Sequence, residues 1–111
     1  MPRVYVVNKG GHDLHAALKY GELVYMSDGQ VNRFALSTMY RQFAAVLNES
    51  SPDDLLLLTG LTNLCVVASA CFAYKHGKVN WLLYKDGRYI QRTIVVSELM
   101  DQSHVQNSEH D

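Results

Sequence analysis

Two short runs of residues constrain the fold most. Val4-Tyr5-Val6-Val7 and Leu55-Leu56-Leu57-Leu58-Thr59 are apolar at nearly every position. Breakers bound them: Lys9-Gly10-Gly11 follows the first, and Ser50-Ser51-Pro52-Asp53-Asp54 precedes the second. A strand that is apolar without alternation is buried on both faces. Leucine is a modest β-former, but position between breakers outweighs propensity here. The chain therefore predicts a sheet whose inner strands are covered above and below.

The segments between these runs read as alternating helices and strands. Asp13 is placed to cap a short helix through Leu14, Ala17 and Leu18, and Gly21 to end it in the left-handed conformation. Leu23-Val24-Tyr25-Met26 is a second strand, closed by Ser27-Asp28-Gly29. Leu36, Met39, Tyr40, Phe43 and Leu47 recur at three- and four-residue steps and predict an amphipathic helix, with Ser37 as its cap. A second long helix spans residues 63–76. Leu64, Cys65, Val66, Val67, Ala68, Ala70, Cys71, Phe72 and Ala73 leave it almost no polar face, and a helix apolar all round is buried on most sides. In a chain of 111 residues the expected cover is a partner subunit, which makes a homo-oligomer through helix 63–76. Lys75, His76 and Gly77 mark its end. Residues 80–84 form a fourth strand, Asp86-Gly87 a hairpin turn, and residues 88–96 the returning fifth strand.

This order argues for one α/β domain over residues 1–96, a small Rossmann-like three-layer fold. Its sheet is five-stranded and mainly parallel, of order 2-1-3-4-5, with a C-terminal antiparallel hairpin. Residues 97–111 form an acidic C-terminal tail with four acids and no Lys or Arg, while residues 1–96 carry ten bases against seven acids. A net charge of −1 speaks against a basic nucleic-acid module. Two cysteines make neither a disulfide scaffold nor a four-ligand zinc site. No apolar run reaches transmembrane length, and the first residues read as a strand and not as a signal peptide. The expectation is a cytoplasmic protein without a membrane partner.

In open α/β sheets, ligands sit beyond the carboxyl ends of the strands where chain order reverses. Here that point falls between the first and third strands, at Asn8-Lys9-Gly10-Gly11-His12-Asp13 and Thr59-Gly60-Leu61-Thr62-Asn63. Paired glycines let a backbone approach an anion, a helix start behind the loop adds partial positive charge, and Lys9 offers a full one. Neither a dinucleotide fingerprint nor a P-loop is present, so no cofactor is expected. Thr62 or Asn63 is placed to cap the following helix. Asp28, at the end of the second strand, has the position of a ribose-binding acid, and a plain Ser-Asp-Gly turn is the alternative. The expected ligand-binding set is Asn8, Lys9, Gly10, Gly11, His12, Asp13, Asp28, Thr59, Gly60, Thr62 and Asn63.

His12 and Asp13 would be the acid/base pair of an enzyme. His12 and His15 share metal-ligand spacing but lack a third partner in sequence. Cys65 and Cys71 read as small hydrophobes. Tyr5, Tyr25 and Tyr84 read as core or rim packing, and Lys85, Arg88 and Arg92 as protection of a sheet edge.

The phrases Tyr5-Val6-Val7-Asn8-Lys9-Gly10-Gly11-His12-Asp13 and Leu57-Leu58-Thr59-Gly60-Leu61-Thr62 resemble small proteins encoded by tailed bacteriophages, over most of residues 1–96. The resemblance implies a phage or prophage origin and a host-cytoplasmic setting, and assigns no role to any residue. The leading functional expectation is a binding protein for a nucleotide-like or phosphorylated small molecule, such as a host signalling nucleotide that a phage sequesters. The alternative is a structural, assembly or host-protein-binding protein acting through a homo-oligomer. The third is an enzyme using His12 on the same site.

Overall fold

The computed structural model describes residues 2–100 apart from His12 and Arg33. Strands β1 (Arg3–Val6), β2 (Glu22–Tyr25), β3 (Leu55–Leu57), β4 (Lys78–Lys85) and β5 (Arg88–Val95) form one sheet of order β2-β1-β3-β4-β5. The first four are mutually parallel, and β5 returns antiparallel to β4. This is an α/β architecture with the strand order expected from the sequence. The turn before β5 is made by Asp86 (φ 52°) and Gly87 (φ 83°), both with the positive φ that a two-residue I′ hairpin demands.

Alternation along β1 and β3 divides the core. Tyr5, Val7 and Leu56 face helices α1 (Leu36–Val46) and α2 (Thr62–His76), against Met39, Phe43, Leu64, Ala68 and Phe72. Val4, Val6, Leu55 and Leu57 face the other way, against Ala17, Leu82 and Tyr89. Cover on that second face is a six-residue 3-10 helix, His15–Tyr20, where the sequence predicted a short α-helix. A short helix α3, Val96–Met100, follows β5. The acidic residues beyond it, 101–111, lie outside the described residues.

Several predicted caps are corrected. Leu14, not Asp13, occupies the N-cap of the 3-10 helix; Asp13 instead accepts the His15 N–H at 2.9 Å, an Asx-turn contact. Ser37 lies inside α1, whose cap is Ala35. Thr62 and Asn63 lie inside α2, whose cap is Leu61, without a side-chain cap bond. Gly21 ends its helix at φ 151°, ψ −178°, which is not the left-handed helical conformation. The position still requires glycine, because a Cβ there would stand 2.0 Å from the Pro2 carbonyl oxygen.

The amino ends of the parallel strands are sealed by side chains that bond to one another. Asp54, 4% exposed, accepts the Arg3 and Ser51 N–H groups on its two oxygens, each at 2.8 Å. Asn80, also 4% exposed, donates to the Pro52 and Asp54 carbonyls and accepts from the Thr93 hydroxyl. At the carboxyl end of α2, Lys75 donates to the Leu47 and Asn48 carbonyls at the end of the preceding helix. Ser50 donates to Leu47 and lies 2.7 Å from His76 Nε2.

Candidate functional site

At the opposite end of the sheet, the loops after β1 and β3 are stitched together. Thr59 Oγ1 accepts the Asn8 N–H at 3.1 Å and donates to the Asn8 carbonyl at 2.8 Å. Asn8 Nδ2 donates to the Gly29 carbonyl at 3.0 Å. Ser27, buried, donates to the Val7 carbonyl at 2.7 Å and also reaches Asn8 Oδ1. The strand ends β1, β2 and β3 are thus tied to one another through three residues, Asn8, Ser27 and Thr59, of which Asn8 and Thr59 lie 51 apart in sequence. Gly60 turns the chain into α2 with φ 87°, and its Cα faces the Asn8 side chain so closely that a Cβ would lie 3.1 Å from Asn8 Cβ.

Three clefts surround this junction. The first, about 420 Å³, lies on the side of the two long helices and is lined by Asn8, Gly10, Gly29, Gln30, Val31, Gly60, Leu61 and Leu64. The first turn of α2 borders it, and Leu61 gives that helix start no side-chain cap. Among the described residues no charged side chain lines it. The second cleft, about 400 Å³, lies on the other face and is lined by Asp13, Leu14, Leu57, Leu58, Thr59, Gly60, Tyr84 and Tyr89. The third, about 330 Å³, contains Lys9, Gly10, Asp13, His15 and Tyr25.

The structure distributes the expected residues among these clefts. Asn8, Gly10 and Gly60 line the first; Asp13, Thr59 and Gly60 line the second. Lys9 turns to the third, with its ammonium 5.1 Å from the Tyr25 ring centre, so its charge is not in the glycine-lined cleft. Asp28 is exposed, bridged to Lys9 through the backbone, and lines none of the three. Gly11 has open space where a Cβ would stand, and Thr62 and Asn63 occupy the first turn of α2. His12 lies outside the described residues, and with it the acid/base pair and the His12/His15 pair. Among the described residues no three His, Cys, Asp or Glu side chains are grouped to hold a metal ion.

Sequence reasoning missed Ser27, Tyr84 and Tyr89 as parts of this region. Ser27 appeared only as a turn residue and is one of three buried polar side chains among those described. Tyr84 read as packing and Tyr89 was not singled out, yet their rings meet edge to face at 5.5 Å and wall the second cleft. Burial, together with Tyr84 and Asp13, pushes the Tyr89 phenol pKa above its ordinary value. Burial also pushes both thiols up, at Cys65 and Cys71, which disfavours the thiolate a nucleophile needs.

Comparison with known proteins adds one finding. The family described as Phage Pam3 gp32-like protein matches residues 2–96. The chain belongs to that family. The match spans the whole sheet, both long helices and every loop at the candidate site, and it makes the chain a bacteriophage protein. Neither a curated protein nor a solved structure matches it. No helix among the described residues is long and apolar enough to cross a membrane.

Proposed function

We propose that this phage protein binds a small nucleotide-like or phosphorylated ligand in the glycine-lined cleft beside α2. The observation that carries the reading is a helix start, free of a side-chain cap, bordering a 420 Å³ cleft at the point where strand order reverses. An anion there is held by backbone N–H groups and the helix dipole, without need of a lysine. Gly10, Gly29 and Gly60 let the ligand approach the backbone, and Asn8 supplies an amide. The arrangement is Rossmann-like in topology but not in its phosphate loop, since no G-x-G-x-x-G occurs. Binding without turnover suits a phage protein that sequesters a host signalling nucleotide in the host cytoplasm.

The test is thermal melting against nucleotides, cyclic nucleotides and sugar phosphates, with Thr59→Val alongside. A ligand at one hundred times its dissociation constant adds about 2.7 kcal/mol, a shift of several degrees. A shift that disappears in Thr59→Val supports the reading. A flat panel counts against it.

A second reading, self-association through α2, has its own observation. Val66 and Tyr74 on that helix are 61% and 94% exposed. Beside them Tyr40, Ala44, Ala70 and Cys71 line an apolar groove of about 470 Å³. The helix buries Leu64, Ala68 and Phe72 in its own core, so only the outward side needs cover. Sedimentation at micromolar concentration decides: a dimer that Tyr74→Lys dissociates supports this reading, and a monomer removes it.

A further inference from the structure

The second cleft has a chemistry opposite to the first. Tyr84 and Tyr89 stand at 69° to each other, two aromatic walls of one corner. Tyr84 is 66% exposed and presents ring surface to the cleft, while Tyr89 is 7% exposed. Among the described residues nothing hydrogen-bonds to the Tyr89 hydroxyl, and because no buried side-chain oxygen among them lacks a partner, that hydroxyl is open to the solvent of the cleft. Asp13 supplies the only charge among the lining residues, and it makes no ion pair among the described residues. One Asp13 oxygen accepts the His15 N–H, which orients the carboxylate, and no other hydrogen bond to it is made by the described residues. Leu14, Leu57 and Leu58 complete an apolar floor. Lys85 and Arg88 follow in the hairpin but do not line the cleft.

Aromatic faces carry negative potential, and a carboxylate beside them adds a full negative charge. Such a corner repels phosphate and attracts a weakly hydrated cation. We infer that the cleft between Asp13, Tyr84 and Tyr89 is a binding site for an alkylammonium group, with the cation against the Tyr84 ring and beside the Asp13 carboxylate. The site is independent of the reading of the glycine-lined cleft. The alkylammonium is either a free small cation or the side chain of a methylated lysine, since both present the same group.

The experiment titrates the full chain with choline, with N-acetyl-trimethyllysine methylamide, and with 3,3-dimethylbutan-1-ol, the neutral isostere of choline. Binding is read from tyrosine ring shifts in NMR spectra and from melting temperature. Both cations are expected to bind at least tenfold more tightly than the alcohol. Asp13→Asn and Tyr84→Leu should each weaken cation binding about tenfold, and Tyr84→Phe should keep it. Both side chains are exposed, and circular dichroism of each variant establishes that it is folded. Tighter binding of choline identifies a free cation, and tighter binding of the lysine derivative a protein side chain. Equal binding of the alcohol, no binding of either cation, or full binding by Asp13→Asn overturns the inference.

Discussion

The two ends of the sheet use polar residues in opposite ways. At the amino end, Asp54 and Asn80 spend both sides of their functional groups on neighbouring backbone and on Thr93. At the carboxyl end, Asn8, Ser27 and Thr59 brace the loops, and around that brace stand groups aimed outward. These are the first turn of α2, the glycines of the first cleft, the Asp13 carboxylate and the Tyr89 hydroxyl. Buried polar groups that satisfy one another stabilise a fold, and unsatisfied ones are costly unless solvent or ligand meets them. The closed end therefore holds the protein together, and the open end is where we propose that it meets a ligand.

That contrast can be broken from either end. The largest effect is expected for Gly21→Ala at the closed end. The new methyl group collides with the Pro2 carbonyl, and the backbone holds φ 151°, which alanine resists. Unfolding by urea should show a loss of roughly 3 kcal/mol or more, or no folded protein at all. A near-native midpoint would mean that β2 can slide away from residue 2.

Asp54→Ala comes next. It strips the Arg3 and Ser51 N–H groups of their acceptor in a buried place. The expected loss is about 2–3 kcal/mol, with ligand binding per folded molecule unchanged. Thr59→Val tests the other end. It keeps shape and removes both bonds to Asn8, for a loss of about 1–2 kcal/mol. Unlike Asp54→Ala, it should abolish ligand-induced stabilisation in melting experiments. If the two variants behave alike in binding, the two ends are not functionally distinct.

The smallest effect is a pH dependence at the closed end. Burial, helped by the Lys75 and Lys78 cations and opposed by Asp54, holds the His76 pKa below its ordinary value of 6.5. The fold thus favours the neutral ring, whose Nε2–H donates to Ser50 when Ser50 donates to Leu47. The unfolded chain takes up the proton first on acidification. The contribution is complete above pH 6.5 and is lost as pH falls through the folded-state value. His76→Gln should flatten the stability profile just below pH 6.5, as measured by denaturant midpoints at several pH values.

The strand order was legible because breakers delimit every run. Lys9-Gly10-Gly11, Ser27-Asp28-Gly29, Pro52 and Asp86-Gly87 each end an element within a few residues of where the chain turns. The position of the candidate site was inferred from that order. Its chemistry was less legible. The bonds that build it join Asn8 to Thr59 and Ser27 to Asn8, across 51 and 19 residues, and no local pattern announces them. The caps failed as well. Ser37, Thr62 and Asn63 have the composition of caps, yet each helix starts earlier, where the Ala35 and Leu61 carbonyls accept the Met39 and Cys65 N–H groups. Asp54 looked like part of a turn, and its role depends on Arg3, which comes beside it only when β1 and β3 pair. Tyr84 and Tyr89 form a corner only because the hairpin places them in register.

The central claim is that ligands engage the open end of the sheet and not the closed one. Its most direct test is an amide NMR titration of the full chain with adenosine 5′-monophosphate and, separately, inorganic phosphate. Shift changes should cluster in Asn8, Gly10, Gly29 and Gly60 through Leu64, and leave Ser51, Asp54 and Asn80 unmoved. Changes centred on the Asp54–Asn80 end, or none with either compound at millimolar concentration, would contradict the account.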